Sequence, residues 1–391
     1  MAELVRIERG KITIPLPTKF NLPIELDLRP KGIGYTMRGW DFSRFQVEEA
    51  IRNQRMLNPA MELGSNVCPW NCSFCFTEHP DNPSKRRLKN ELSLAKRLSL
   101  IDEAAELGTR SINFVGAGEP TIDPNFWGIV ERMVSKNITP IIYTEGTLRL
   151  LNVDFTRKLY DSGATVVLKV NSLRNHEYQN SIVRGNGKNV NADSYTTKRN
   201  KVIELLIKEG FADSEPTRLA FDTIITKQNI DEVADIHRYA RRNNIFVLFV
   251  NYLPSGRSSD GASDALSRDE QFKVFEDFAK IDLEEFGLSH STKFPYAGGI
   301  PCTIRGTGLF VKITGKVHDC PGVLIALGDY RKESLSEIWK RARSITQSFD
   351  GGCAPRDQFW KTHEKQNYKF YQITQRILAE QQVKEQFSNI K

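Results

Sequence analysis

The chain has no long apolar segment, although it is 391 residues long and 39% of its residues are hydrophobic. No run approaches the ~18 consecutive apolar residues of a membrane-spanning helix, so no membrane partner is expected. Residues 1–8 lack the apolar core of a secretory signal, and repeats and low-complexity tracts are absent. This pattern is typical of a globular protein of the cytoplasm, where thiols stay reduced.

Charge of one sign is not in large excess either. There are 55 Lys and Arg against 48 Asp and Glu, a formal net charge of +7, and the basic residues form short clusters spread along the chain. No long basic stretch is interleaved with aromatic residues, so no nucleic-acid partner is expected. A balance of this size permits an anionic substrate such as a nucleotide but does not require one.

Cysteine is scarce, and three of the 6 cysteines fall in one short loop. Cys68, Cys72 and Cys75 have the spacing C-x3-C-x2-C. A closed tetrahedral zinc site and a cubic iron–sulfur cluster each take four ligands. Three thiolates around such a cluster leave one iron without a protein ligand, and that iron can bind a molecule that takes part in the reaction. His79 follows at a spacing that also allows a Cys3His zinc knuckle, so both interpretations stay open on spacing alone.

A glycine-rich turn follows the cysteine loop after one helix and one strand. Apolar positions predict a helix over residues 92–107 and a short buried strand, Ser111–Val115. The strand leads into the turn Gly116-Ala-Gly-Glu-Pro. Glycines there let the backbone approach a ligand closely, and Glu119 can accept hydrogen bonds from a ligand ammonium.

Together these residues resemble the radical S-adenosylmethionine (SAM) superfamily, over about residues 66–252. The resemblance implies that Cys68, Cys72 and Cys75 bind a [4Fe–4S] cluster whose open iron chelates SAM. An external donor such as flavodoxin or ferredoxin would supply an electron that cleaves SAM to methionine and a 5′-deoxyadenosyl radical. That radical would abstract hydrogen from a substrate. The family's usual Gly-Gly-Glu stands here as Ala117-Gly-Glu, with a glycine before it, which is similar to some branches.

The resemblance also implies which residues bind SAM. Phe74 would lie against the adenine, and Arg184 would pair with the SAM carboxylate. The end of the strand predicted at residues 165–170 would provide polar groups for the ribose or the carboxylate. The predicted cofactor contacts are Phe74, Gly116, Gly118, Glu119, Lys169, Asn171, Arg184 and Asn251. A solvated surface charge is the alternative for Lys169 and Arg184.

Strands and helices alternate after the cysteine loop, which predicts parallel βα units. The predicted strands are 111–115, 139–143, 165–170, 219–224 and 245–250, and the predicted helices between them are 124–134, 153–161, 195–208 and 231–242. The pattern alone also allows an open doubly wound α/β sheet. The resemblance implies a partial (β/α)6 TIM-like barrel with its site at the carboxyl ends of the strands.

We predict three regions: an N-terminal extension over residues 1–60, a radical SAM core barrel over residues 61–262, and a linker helix with a C-terminal domain over residues 263–391. In the last region, Cys302 and Cys320 flank a predicted β-hairpin. The segment resembles the twitch and SPASM extensions of radical SAM enzymes.

That second resemblance implies a small α+β domain in which Cys302, Cys320 and Cys353 hold an auxiliary iron–sulfur cluster, which we expect to be [4Fe–4S]. With three cysteines, His318 or His363 is the candidate fourth ligand, or the fourth iron is open to substrate. A Cys3His zinc site is the alternative for the trio.

The sequence therefore predicts a radical SAM enzyme acting on a small molecule: a sugar, an aminocyclitol, a nucleoside or a nucleotide. The outcome is open among dehydrogenation, epimerisation, decarboxylation and rearrangement. Residues 183–189 are locally similar to the nucleotide-modifying viperins. A peptide maturase is the alternative within the enzyme class, because many SPASM enzymes act on peptides. Outside that class, a zinc-knuckle nucleic-acid-binding protein would leave the Gly-Glu-Pro turn and the barrel pattern unexplained.

Overall fold

The computed structural model describes residues 6–8, 11–13, 25–27, 34–76, 86–184, 194–252, 257, 264–287, 304–321 and 326–345. Strands β1 (Arg6–Glu8), β2 (Lys11–Thr13) and β3 (Glu25–Asp27) form a small antiparallel sheet. Helix α1 (Arg44–Arg52) follows, and its capping box pairs Ser43 with Gln46. His79, Cys302, Cys353 and His363 lie outside the described residues.

Six parallel strands form the centre of the molecule, and each pairs with the next along the chain. They are β4 (Ala60–Glu62), β5 (Ser111–Val115), β6 (Thr139–Thr144), β7 (Thr165–Lys169), β8 (Leu219–Ile225) and β9 (Phe246–Asn251). This α/β architecture confirms the expected order of a partial (β/α)6 barrel. Within the described residues β4 and β9 do not pair, so the barrel is not closed there.

Helices cover the outer face of these strands. They are α2 (Leu94–Glu106), α3 (Phe126–Ser135), α4 (Val153–Asp161), α5 (His176–Arg184), α6 (Tyr195–Lys208), α7 (Ile230–Arg242) and α8 (Arg268–Phe286). Each buries an apolar stripe; in α3 it comprises Phe126, Ile129, Val130 and Met133, one face of a helix. The strands and helices predicted over residues 92–250 are confirmed to within two residues at either end. No described helix combines the length and apolar character that a membrane span requires.

Residues 34–43 run across the amino ends of the strands and fill the bottom of the barrel. Met37 and Trp40 pack with Ile141 and other inward side chains of β7, β8 and β9. The indole N–H of Trp40 donates to Asn113 Oδ1 at 2.8 Å. The sequence predicted only an extension without chemistry here, and the structure gives it a structural role.

The C-terminal segment extends the same sheet beyond β4. It contains α9 (Ile304–Thr307), β10 (Phe310–Val311), β11 (Lys316–His318), β12 (Ala326–Asp329) and α10 (Leu335–Ile345). Strand β10 pairs parallel to β4 and antiparallel to β11, so the predicted hairpin is confirmed and joins a nine-stranded sheet. Residues 304–307 are helical where a strand was predicted, and the Thr307 carbonyl at the end of this turn accepts from the N–H groups of Leu57 and Asn58.

We call residues 34–43 the plug, and their contribution to stability can be measured. We expect Trp40→Ala to lower the free energy of unfolding by about 3–5 kcal/mol, because it leaves a cavity and removes the hydrogen bond to buried Asn113. Urea denaturation followed by circular dichroism measures the change. Phe45→Ala is the control, since Phe45 is 67% exposed and should change stability by less than about 0.5 kcal/mol. Equal effects of the two substitutions would contradict the plug.

Candidate active site

A buried ion pair fixes the point at which the cysteine loop leaves β4. The guanidinium of Arg97, on α2, donates to the Leu63 carbonyl at 2.7 Å and lies 3.3 Å from the Asp123 carboxylate. Asp123 also accepts from the N–H of Ser65 at 2.7 Å. Both charged side chains are at most 2% exposed. Loss of either partner would leave a buried charge uncompensated, so this pair holds the first residues of the loop in one position.

The end of α5 holds the cysteine loop from the other side. The N–H of Asn71 donates to the Val183 carbonyl at 3.1 Å, and the N–H of Ser73 donates to the Ile182 carbonyl at 2.9 Å. These carbonyls belong to the last turn of the helix, where intrahelical donors run out. The loop therefore caps α5, and α5 in turn positions the loop.

Arg257 contacts the loop at two of its cysteines. Its N–H donates to the Cys75 carbonyl at 3.1 Å, and its guanidinium donates to the Cys72 carbonyl at 3.0 Å. The N–H of Cys75 donates to the same Cys72 carbonyl at 3.2 Å. Cys68, Cys72 and Cys75 are partly exposed as whole residues. These hydrogen bonds fix the backbone of the loop around them.

The thiols are too close together to ionise easily without a compensating cation. Burial, followed by the charge of Cys75, raises the pKa of Cys72 to about 12, whereas the ammonium of Lys169 opposes this rise. Burial and then Cys72 raise the pKa of Cys68. Iron and zinc bind thiolates. The trio therefore fits a group that brings positive charge to all three sulfur atoms.

The two groups considered for the loop differ in the ligands they take. A zinc site would use His79 as its fourth ligand, and His79 lies outside the described residues. Three cysteines alone, one thiolate for each of three irons, suit a [4Fe–4S] cluster with one open iron.

The glycine-rich turn after β5 docks directly on the cysteine loop. The N–H of Gly118 donates to the Ser65 carbonyl and the N–H of Glu119 donates to the Val67 carbonyl, both at 3.0 Å. A Cβ atom on Gly118 would lie 2.1 Å from the Val67 carbonyl oxygen, and one on Gly116 would lie 1.8 Å from the Gly118 carbonyl oxygen. Only glycine permits these approaches, so Gly116 allows the turn to close and Gly118 allows the turn to dock on the loop.

The carboxylate of Glu119 is buried and joins the ends of β5 and β6. Its Oε1 accepts from the Thr144 hydroxyl at 2.6 Å and from the hydroxyl and N–H of Thr121 at 2.7 and 3.1 Å. Its Oε2 accepts from the N–H of Glu145 at 3.0 Å. A carboxylate accepts about four hydrogen bonds, two at each oxygen. Oε2 thus keeps capacity for a ligand ammonium, and that role of Glu119 stays a prediction.

Glu145 is a second buried carboxylate beside Glu119. It accepts from the N–H and hydroxyl of Thr147 at 3.0 and 2.6 Å and from the N–H of Leu148 at 3.1 Å. Burial and then the charge of Glu119 raise its pKa to about 7. The predicted contacts omitted Glu145. Its place directly after a predicted strand is the signal that could have identified it.

Asn171 lies two residues after Lys169 in the sequence and is fully buried. Its Oδ1 accepts from the N–H of Ile224 at 3.0 Å, and its own N–H donates to Gln179 Oε1 at 2.8 Å. Its side-chain Nδ2 has no hydrogen-bond partner. A buried donor without an acceptor is unfavourable by about 1–3 kcal/mol. This orphaned amide fits the predicted contact with an oxygen-rich cofactor such as SAM.

The two predicted cationic contacts differ in their surroundings. Lys169 Nζ lies 3.0 Å from Asp222 Oδ2, and both side chains are about one-fifth exposed (20% and 23%). Arg184 is the last residue of α5 and is exposed. Lys169 is therefore paired within the barrel, which argues against a solvated surface charge. Arg184 remains a predicted SAM contact.

The two predicted contacts on the adenine side lie near the end of β9. The ring of Phe74 packs edge-on against Tyr252, with centroids 5.6 Å apart. Asn251 is the last residue of β9 and pairs with Ile225 of β8. The cysteine loop thus reaches across to the strand that carries Asn251, as an adenine pocket between them would require.

The C-terminal hairpin also reaches the cysteine loop. The ring of Phe310, on β10, lies 6.1 Å from that of Phe76, and the ring of His318 lies 6.3 Å from Phe310 on its other side. Cys320 follows β11 and is 8% exposed. Because β11 runs antiparallel to β10, Cys320 lies towards the amino ends of the barrel strands, away from the cysteine loop. Cys302 and Cys353 are outside the described residues, so the trio stays a prediction.

The chain is similar to proteins of one superfamily. Residues 63–240 match the family model of the Radical SAM superfamily. A SAM-dependent nucleotide dehydratase of Flammeovirga pacifica is 27% identical over 42% of this chain and 52% of its own length, so the chain spans about half the length of that relative. The mycofactocin maturase MftC of Mycolicibacterium smegmatis is 25% identical over 74% of this chain and 72% of its own.

Solved structures have the same fold. Streptococcus suis SuiB bound to SAM superposes with a TM-score of 0.53 at 15% identity, over 76% of this chain and 69% of SuiB. SuiB bound to its precursor peptide SuiA gives the same TM-score of 0.53. At this identity the likeness concerns the fold alone.

The docking of the glycine turn on the cysteine loop predicts the outcome of one substitution. Gly118→Ala should displace the loop, because its Cβ meets a backbone oxygen at 2.1 Å. We expect loss of about four irons per chain after anaerobic reconstitution, measured by iron analysis and visible absorbance. Gly128→Ala, on α3, is the matched control, since its Cβ meets nothing within 4 Å. Wild-type iron content in Gly118→Ala would contradict this role.

Proposed function

The chain belongs to the radical SAM superfamily, and from that premise we propose that Cys68, Cys72 and Cys75 hold a [4Fe–4S] cluster at which SAM is cleaved. The observation that carries the proposal is the backbone docking of the cysteine loop on the Gly-Ala-Gly-Glu turn at the carboxyl edge of six parallel strands. A zinc-knuckle protein would need neither this docking nor the barrel.

The residues around the loop have distinct proposed roles toward SAM. When bound, the cluster and SAM supply reductive cleavage to methionine and a 5′-deoxyadenosyl radical that takes hydrogen from the substrate. Glu119 Oε2 accepts from the SAM ammonium, Asn171 Nδ2 donates to the ribose or carboxylate, and Arg184 pairs with the carboxylate. Phe74 and the end of β9 enclose the adenine. Because Glu119 is held by four hydrogen bonds, its carboxylate is oriented before SAM arrives.

The substrate we propose is a small molecule bound inside the partial barrel. One relative, a nucleotide dehydratase, is named for a small-molecule substrate. A peptide maturase is the second candidate, favoured by the match to MftC over three quarters of this chain (74%) and by the fold shared with peptide-bound SuiB. An external donor such as flavodoxin or ferredoxin would reduce the cluster, in the cytoplasm, where thiolates persist.

We also propose that Cys302, Cys320 and Cys353 bind an auxiliary cluster in a twitch-like segment. The predicted hairpin is present, and Cys320, two residues after the end of its strand β11, is buried. The contact from Phe76 through Phe310 to His318 links this hairpin to the SAM-binding loop. His318 and His363 remain its candidate fourth ligands.

The first test removes the SAM cluster. A variant with Cys68, Cys72 and Cys75 all changed to Ala should lose about four irons and form no 5′-deoxyadenosine from SAM with dithionite. Chromatography of the product and iron analysis measure both. Ser73→Ala, in the same loop, is the control and should behave like the wild type, because only the N–H of Ser73 is used. Continued SAM cleavage by the triple variant would exclude this cluster site.

The second test concerns the auxiliary cluster. Replacing Cys302, Cys320 and Cys353 by Ala should remove about half of the iron, since each cluster carries about four. The variant should still form 5′-deoxyadenosine from SAM in the absence of substrate, because that step needs the first cluster alone. Iron, sulfide and zinc analysis decide the outcome. Full iron content with loss of zinc would replace the auxiliary cluster by a Cys3His zinc site.

A further inference from the structure

Side chains on the barrel strands alternate between the helices and the interior. Ile142, Val166, Phe221 and Phe249 belong to the core beneath the helices. Their neighbours in sequence, including Ile141, Val167, Ala220 and Leu248, pack around the N-terminal plug. The next inward positions toward the carboxyl ends are Glu62, Val115, Tyr143, Lys169, Asp222 and Val250, since inward positions recur every two residues. The carboxylate of Glu62 already accepts from the N–H of Ile313 at 2.8 Å. We call the other five residues the upper wall; they lie between the plug and the cysteine loop.

One side of the upper wall is polar. Lys169 and Asp222 are register partners on β7 and β8, and their charged groups are 3.0 Å apart. Tyr143, on β6, is close enough to Asp222 that loss of water and then this negative charge raise the pKa of its phenol. The polar side of the upper wall thus comprises Tyr143, Lys169 and Asp222 on three neighbouring strands.

The other side of the upper wall is apolar. Val115 packs with Ala60 of β4 and Phe310 of β10, and Tyr143 packs against the same group. Val250 packs against the cluster of the plug from β9. A ligand between the two sides would meet hydrogen-bonding groups on one face and hydrocarbon on the other, which is the surface of a sugar or nucleoside ring.

The charges of the wall limit what it can bind. On the inward positions of β4–β9 that the structure describes, Lys169 is the cation, and Glu62 and Asp222 are the carboxylates. Lys169 is already neutralised by Asp222. Phosphate groups need several cations or N–H donors when they leave water. This wall does not offer them.

We infer that the upper wall binds an uncharged, hydroxyl-rich small molecule of the sugar, cyclitol or nucleoside class, with Asp222 accepting hydrogen bonds from its hydroxyl groups. The inference rests on the proposed function for the position of the site. It assigns Lys169 to the substrate side, where its ammonium orients Asp222 and donates to a ligand oxygen. A ligand that places phosphate groups against this wall is excluded.

Binding measurements test the inference apart from turnover. Reconstituted protein with SAM is titrated calorimetrically with three panels: neutral sugars, cyclitols and nucleosides; the corresponding phosphates and triphosphates; and short peptides. We expect binding by a member of the first panel and not by its phosphorylated counterpart. Binding confined to the second or third panel, or no binding by the first, would overturn the inference.

Two substitutions then locate the ligand. Asp222→Asn and Lys169→Met should each weaken binding of that first-panel ligand by about tenfold or more, because a charge-assisted hydrogen bond is lost. Glu131→Gln is the control, since Glu131 pairs with Lys158 on the exposed surface (65% and 53% exposed). Unchanged affinity in Asp222→Asn would overturn the assignment. So would a loss of SAM affinity, rather than ligand affinity, in Lys169→Met.

The proposed function and the inferred class of ligand can be refuted separately. Formation of 5′-deoxyadenosine by the wild type without any added ligand reports only on the cluster site. If that product forms and the first panel does not bind, the substrate class is wrong and the proposed function stands. If the product does not form, the proposed function fails whatever the panels show.

Discussion

The close approach of two backbone segments determines the rest of the site. Gly118 lies against the carbonyl groups that lead into the cysteine loop, where a single added carbon would meet the Val67 oxygen at 2.1 Å. The two hydrogen bonds at this contact set the height of the loop above β5. These backbone contacts, together with the buried pair of Arg97 and Asp123, place the thiols, the Glu119 carboxylate and the upper wall relative to one another.

Buried carboxylates hold the turns at this edge of the barrel. Glu119 joins the turns after β5 and β6, and Glu145 holds the next turn through Thr147 and Leu148. Glu232, on α7, does the same after β7, accepting from Ser172 and from the N–H groups of the two residues that follow. The hydrogen bonds that each carboxylate accepts tie together backbone groups of the turn around it. The loops around the cysteines are therefore ordered before a ligand binds.

The sequence predicted those features that depend on a local pattern of residues. The alternation of apolar and polar residues predicted the strands from β5 to β9 closely, and glycine and proline predicted the turn after β5. Strand β4 was missed because it has three residues, Ala60–Glu62, without β-branched side chains. Helix α5 was missed because it is largely polar. Its N-terminal cap is identified by the hydrogen bond from the N–H of Tyr178 to Asn175 Oδ1, which is seen only in the folded structure. Asp222 and the docking of β10 on β4 depend on long-range contacts that no local pattern encodes.

Access to the barrel interior follows from what covers each edge. Residues 34–43 fill the amino ends of the strands, with Trp40 hydrogen-bonded to Asn113. Strand β10 covers the outer edge of β4. Strand β9 pairs on its outer side with no other strand among those described. The cysteine loop reaches this side of the barrel, because Phe74 packs on Tyr252 directly after β9. A substrate at the proposed upper wall would lie between that loop and the plug, an arrangement that limits the access of water to a reactive intermediate.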